Sequence, residues 1–212
     1  RDNGCCYCFV EADVERTFVS YHGAEYLFER SWFDAIDASQ VGSVYICGLE
    51  IEETTGPNIV SYLEEHPEFT LFFAPGPRLT RIKPALMQRL FALHPILHLN
   101  DEEAFVYTKE KTLTEAARAL YAKSGNTVII TLGKSGCYYF DGAREETVPG
   151  IPAAQVDAIG AGDAHIGAII ACLHMGKTLP QAIAMANRVS SLVVETKGAL
   201  LSDVAFRSLE LE

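Results

Sequence analysis

Residues 127–132, Thr-Val-Ile-Ile-Thr-Leu, place the strongest constraint on what this chain can fold into. Nearly all of them are β-branched, which stiffens χ1 and favours an extended backbone. Because a strand sends alternate side chains to opposite faces, such a run must be covered on both sides. Strands of that kind belong to parallel sheets sandwiched between helices. The rest of the chain repeats the theme. Val44–Leu49, Thr70–Ala74 and Ile96–Leu99 read as further strands, and Pro75-Gly76-Pro77 breaks the second of them. Helical character follows over Thr54–Glu65, Ile82–Leu93, Asp101–Tyr107, Thr112–Lys123, Gly160–Met175 and Pro180–Thr196. Thr112 and Glu115 have capping-box spacing, and Pro180 suits a helix start. Cys137–Phe140 and Glu146–Val148 read as two more strands. Alternating strands and helices predict an α/β fold with a mostly parallel sheet and helices on both faces.

The first 22 residues differ. Phe9–Val14 and Thr17–Tyr21 are β-rich runs around a charged turn, a hairpin standing apart from the α/β body over residues 23–212. The formal charge of −11 disfavours nucleic acid, whose phosphates need a basic footprint. No apolar run is long enough for a bilayer and no secretory signal opens the chain, so no membrane partner is expected. Cys5-Cys6-Tyr7-Cys8 lacks the spacing of a metal loop, and the other cysteines lie far apart. Reduced thiols in the cytoplasm fit this pattern best.

The chemistry concentrates in Val156-Asp157-Ala158-Ile159-Gly160-Ala161-Gly162-Asp163-Ala164-His165. Gly160, Ala161 and Gly162 are small enough for the backbone to approach a ligand. A helix starting there would present unpaired amides and the positive end of its dipole, an anion site. Asp163 in the first turn would repel phosphate but suits a base that takes a proton from an attacking hydroxyl. The plainer reading is a glycine-rich turn with Asp163 as an ordinary first-turn acid. The dinucleotide fingerprint fails because His165 occupies its third glycine position, and the Walker pattern fails because no Lys-Ser or Lys-Thr follows. A dinucleotide-binding protein is thereby disfavoured.

Asp-Ala-Ile-Gly-Ala-Gly-Asp-Ala-His resembles the D-T-x-G-A-G-D-x-F signature of the ribokinase-like (PfkB) carbohydrate kinases. Further matches follow in order. Residues 73–78 resemble the family's D-P-N-x-R turn, and residues 99–104 its N-x-x-E motif. Residues 131–136 resemble its T-x-G-x-x-G loop, and Ala186-Asn187 with Lys197-Gly198-Ala199 its C-terminal adenine and cation region. The resemblance implies a ribokinase-like three-layer sandwich with a partial β lid, and transfer of the γ-phosphoryl group of ATP to a sugar or nucleoside hydroxyl. Asp163 would be the catalytic base, with the backbone of Gly160, Ala161 and Gly162 as the anion hole. Thr131, Gly133 and Gly136 would border the nucleotide phosphates and ribose, and Asn187 the adenine. Asn100 and Glu103 would organise Mg²⁺ through water, and Asp157, Ile159 and Ser202 resemble a K⁺ site. Taken alone, Glu103, Asn187 and Thr131 also read as a solvated acid, a surface polar residue and a satisfied strand hydroxyl.

There are departures. Ala158 replaces the signature's Thr, which puts cation dependence in question, and His165 replaces its Phe, as a residue of the site's mouth or as a helix-surface or satisfied histidine. Ala74 and Gly76 replace the Asp and Asn of D-P-N-x-R, so that turn reads as structural. The family's front β-unit, which holds the sugar hydroxyls, has no counterpart here. The chain therefore reads as a piece of a longer protein, and such a piece alone would be expected to lack activity. A catalytically silent family member, binding a nucleotide or sugar as a sensor or scaffold, is the alternative. Lid-to-lid homodimers are common in the family, and Phe9–Tyr21 offers an exposed edge for one.

Overall fold

The computed structural model describes residues 2–10 and 16–209. They divide into two compact units, residues 1–93 and 94–212.

In the first unit β1 (Cys5–Val10) and β2 (Arg16–Tyr21) pair antiparallel as a sheet of their own, from Cys5↔Tyr21 to Val10↔Arg16. The segment 11–14 of the expected first strand lies outside the described residues. Both faces of this hairpin are exposed, with Tyr7, Phe9, Phe18, Val19 and Tyr21 all open to solvent. A one-turn helix α1 (Arg30–Phe33) follows, then β3 (Ser43–Cys47), which runs parallel to β4 (Thr70–Ala74). Gly48 and Leu49 open a short helix α2 (Gly48–Glu52) instead of ending the strand. A Cβ at Gly48 would stand 2.0 Å from the Pro75 carbonyl, so α2 starts hard against the turn after β4. That turn is the one resembling D-P-N-x-R, and its Arg78 pairs with Glu52 at 3.0 Å. Two longer helices, α3 (Gly56–Glu64) and α4 (Pro84–Ala92), bury Ile59, Val60, Leu63, Leu90 and Phe91. Arg89 ties them by reaching Glu64 and Ser61.

In the second unit β5 (Ile96–Asn100) and β6 (Val128–Thr131) are parallel. Val128, Ile129 and Ile130 are fully buried, as the β-branched run requires. β7 (Gly136–Phe140) and β8 (Glu145–Pro149) add antiparallel. Two helices join β5 to β6: α5 (Asp101–Thr108) and α6 (Leu113–Ser124). Thr112 caps α6 by accepting from the Glu115 amide and donating its hydroxyl to the Glu115 carboxylate. Past β8 come α7 (Ala161–His174), α8 (Leu179–Val194) and a short α9 (Asp203–Arg207). Thr178 and Gln181 form a reciprocal capping box on α8. The parallel pairs β3–β4 and β5–β6, each with its helices, give the mostly parallel α/β arrangement. Among the described residues no helix is long and apolar enough to cross a membrane.

Candidate active site

α7 starts where the sequence places it. Gly160 is its N-cap with φ +78°, a left-handed conformation that only glycine adopts cheaply. An added Cβ there would also stand 2.6 Å from the Ala199 Cβ. The Gly160 carbonyl accepts from the Ala164 amide at 2.8 Å and begins the helical ladder. The Ala161 amide donates back to Ala158 at 3.3 Å, and the Ala161 carbonyl accepts from Ser190 on α8 at 3.0 Å. Gly162, in the first turn, has no intrahelical acceptor for its amide. A Cβ at Gly162 would meet nothing within 4 Å, so protein packing does not demand a glycine there. Asp163 is exposed in the same turn.

Ala161 and Gly162 form one wall of a cavity of about 260 Å³, whose other sides include Thr131, Gly133, Gly136 and Asn187. Thr131 ends β6, and a tight turn over Gly133–Ser135 leads into β7. Gly136 has φ +100°, and a Cβ on it would lie 2.2 Å from the Val148 carbonyl, which lets β8 close against the turn. The structure thus brings the helix start and the glycine turn, about thirty residues apart in sequence, to one cavity. Lys134 and Gly150 also border it and were not singled out from the sequence, although Lys134 lies inside the quoted motif.

Asn100 and Glu103 form a reciprocal capping box on α5. Asn100 Oδ1 accepts from the Glu103 amide at 2.8 Å, and Glu103 Oε2 accepts from the Asn100 amide at 3.0 Å. Burial holds the Glu103 carboxyl above the usual range, against the pull of that amide. Among the described residues no three His, Cys, Asp or Glu side chains cluster around a metal-sized space. Asp157 joins two loops: Oδ1 accepts from the Ile159 amide at 3.0 Å and Oδ2 from the Gly198 amide at 3.1 Å. Ser202 caps α9 by accepting from the Ala205 amide.

Asn187 and His165 are buried and belong to one hydrogen-bonded chain. Asn187 Nδ2 donates to the carbonyls of Val148 and Pro149 at 3.2 and 3.0 Å. Its Oδ1 meets His165 Nε2 at 3.1 Å, and His165 Nδ1 meets His98 Nε2 at 2.9 Å. Burial, helped by the neighbouring His165, holds the His98 imidazole down to about 3. Burial holds His165 down to about 4, partly offset by its bond to Asn187. His165 is therefore a satisfied histidine and also part of the cavity wall. His98 was missed from sequence. The available signal was a histidine inside an otherwise apolar strand, which needs a buried partner.

These features define an α/β protein in which a helix N-terminus and a glycine turn front one cavity. Residues 1–204 match the pfkB family carbohydrate kinase family, and the chain belongs to it. The chain is 34% identical over 201 residues to the uncharacterized sugar kinase YegV of Escherichia coli (strain K12), covering 93% of this chain and 63% of that protein. It is 33% identical over 166 residues to ribokinase of Bacillus subtilis (strain 168), covering 78% of this chain and 53% of that one. It thus spans less than two thirds of these relatives. Among solved structures, Thermotoga maritima ribokinase superposes with a TM-score of 0.76 at 19% identity, covering 97% of this chain and 69% of that one. Vibrio cholerae O395 fructokinase, solved with fructose, ADP and calcium ion bound, gives 0.78 at 19% identity, covering 97% and 73%. The fold is ribokinase-like.

Proposed function

We propose that this chain carries the nucleotide-binding and catalytic part of an ATP-dependent kinase that phosphorylates a hydroxyl of a sugar or nucleoside. The observation that carries the reading is the start of α7, where a bare first-turn amide borders the same cavity as the Thr131–Gly136 turn, and the next residue, Asp163, is an exposed acid in that first turn though not itself part of the cavity lining. In this reading the acceptor hydroxyl attacks the γ-phosphorus of ATP in line. The new O–P bond forms as the bond to the β,γ-bridging oxygen breaks. The hydroxyl proton passes to the Asp163 carboxylate, and ADP leaves with the electron pair. The Gly160–Gly162 backbone and the α7 dipole stabilise the charge on the transferred group. Thr131, Gly133 and Gly136 border the phosphates and ribose, Lys134 adds a cation near them, and Asn187 lies towards the adenine.

Magnesium, when bound, neutralises the β- and γ-phosphate charge. With Asn100 and Glu103 engaged in capping, their influence on it runs through water, which suits an ion that keeps much of its hydration shell. The Asp157 clamp over Ile159 and Gly198, with Ser202 nearby in sequence, is assigned to K⁺. The sugar or nucleoside class is supported by relatives named ribokinase, by the fructose-bound fructokinase, and by a Burkholderia thailandensis nucleoside kinase solved with inosine. The exposed hairpin β1–β2 supports a homodimer through the lid, and free thiols at Cys5, Cys6 and Cys8 fit a cytoplasmic setting. A −11 charge supports small-molecule rather than nucleic-acid partners.

The test is a screen of the intact protein with ATP and Mg²⁺ against pentoses, hexoses and nucleosides, reading ADP release. Acceptor-dependent release is expected. Silence across the whole panel, with nucleotide still bound, rejects the kinase reading in favour of a binding protein.

A further inference from the structure

α7 is apolar nearly all round. Between Ala161 and His174 its polar side chains are Asp163, His165 and His174, and the rest are Ala, Gly, Ile, Cys and Leu. Its bulky His165, Ile166, Ile169 and Cys172 are buried while Gly162, Gly167 and Ala171 are exposed, so packing chooses the buried side, but apolar contacts are non-directional and do not by themselves set the fine rotational phase. Yet the anion site depends on that rotation. Successive residues turn by about 100°, so Asp163 lies about 200° from His165 and faces away from it.

The hydrogen-bonded chain through His165 supplies a directional constraint. Carbonyls only accept, so Val148 and Pro149 fix the Asn187 amide as donor and its Oδ1 as acceptor. His165 Nε2 must then carry the proton, which leaves Nδ1 an acceptor, and His98 Nε2 must donate to it. Every link has one allowed direction and joins a different element: β5, α7, α8 and the end of β8. All three side chains are buried, at 6% exposure for His98, 3% for His165 and 7% for Asn187, so losing a link leaves a buried polar group short of a partner. Turning α7 by one residue would swing His165 out of reach of both partners at once.

We propose that His165 is a positioning residue that sets the rotational phase of α7, and through it the direction of the Gly162 amide and the Asp163 carboxylate. Buried polar groups that fix register among non-directional apolar contacts act in this way. The consequence for turnover rests on the kinase reading above, whereas the orientation of α7 does not. His165 touches no reacting atom in this scheme.

The experiment compares His165→Leu, which removes both bonds at similar volume, with His165→Gln, whose amide can accept from His98 and donate to Asn187. In the intact protein, amide hydrogen exchange is read over residues 162–166 and over α6, together with kcat and the KM for ATP per folded molecule. His165→Leu should speed exchange over 162–166 about tenfold or more while leaving α6 unchanged. It should also lower kcat about tenfold or more with KM held within about threefold, the scale of a small misplacement at the reacting centre. His165→Gln should restore both. His98→Leu is a second arm should His165→Leu fail to fold, and should act in the same direction. Wild-type exchange in both leucine variants, wild-type kcat in them, or a glutamine variant as impaired as leucine overturns the inference. If the wild-type protein turns over no acceptor, the kinase reading fails and the exchange comparison still decides the role of His165.

Discussion

One added methyl group should have opposite effects at Gly160 and Gly162, two residues apart at the start of α7. At Gly160 the backbone is left-handed, and a Cβ would stand 2.6 Å from the Ala199 Cβ and 2.9 Å from its Cα. The conformation costs a non-glycine residue about 1–2 kcal/mol, and forcing the contact adds about 1–3 kcal/mol. Gly160→Ala should therefore lose about 2–5 kcal/mol, a large part of a typical domain's stability. At Gly162 the backbone is helical and nothing lies within 4 Å of the new atom. Alanine outranks glycine in helices by up to about 1 kcal/mol, so Gly162→Ala should be neutral or slightly stabilising. That methyl would, however, enter the space where the proposed phosphoryl group meets the first-turn amide. Loss of one such donor typically costs about 10²–10³ in kcat. Urea denaturation and steady-state kinetics on the two variants separate these effects. A Gly162→Ala protein with normal stability and normal kcat would refute the assignment of this backbone to the transferred group. A Gly160→Ala protein as stable as wild type would refute the geometry of the bend.

Other consequences are equally open to measurement. The folded-state pKa values of His98 and His165, about 3 and about 4, lie below the unfolded value near 6.5. The unfolded chain thus binds more protons in acid, so their stability contribution is complete above about pH 6.5 and falls at lower pH by about 1.4 kcal/mol per unit per histidine. Urea midpoints should drop between pH 7.5 and pH 5.5, and less so in a protein lacking both imidazoles; equal drops would contradict the buried neutral pair. Glu103→Gln preserves an acceptor for the Asn100 amide, so the thermal midpoint should hold while the Mg²⁺ concentration for half-maximal activity rises about threefold or more; an unchanged Mg²⁺ response would leave Glu103 a cap alone. Lys134→Ala should raise the KM for ATP about three- to tenfold with little change in stability, as for an exposed cation near phosphate; an unchanged KM would remove Lys134 from the nucleotide site.

Local chemistry made much of the fold readable in advance. Val128, Ile129 and Ile130 at the centre of the run 127–132 are buried as their branched side chains demand, and Thr112, Pro180 and Gly160 each mark a helix start. What escaped depends on contacts between distant residues. Gly48 and Leu49 continue an apolar run, yet they turn into α2 because the Pro75 carbonyl closes against Gly48. α9 depends on a Ser202 cap, and Arg188 reaches the carbonyls of Ser208 and Leu209 beyond it. The same holds in the site. Gly160 through Asp163 announce themselves by spacing, whereas His98 and His165 lie 67 residues apart and only the fold joins them. Asn100 and Glu103 show how one spacing serves two readings, since the three-residue step that suits a shared ligand also makes a capping box.

The most direct test replaces the Asp163 carboxylate with an amide of the same shape. In the intact protein with ATP, Mg²⁺ and its best acceptor, Asp163→Asn should lower kcat by about 10²–10⁴, the usual contribution of a positioned base, while calorimetric ATP affinity stays within about threefold. Wild-type turnover in that variant would contradict the assignment of Asp163 as the proton acceptor.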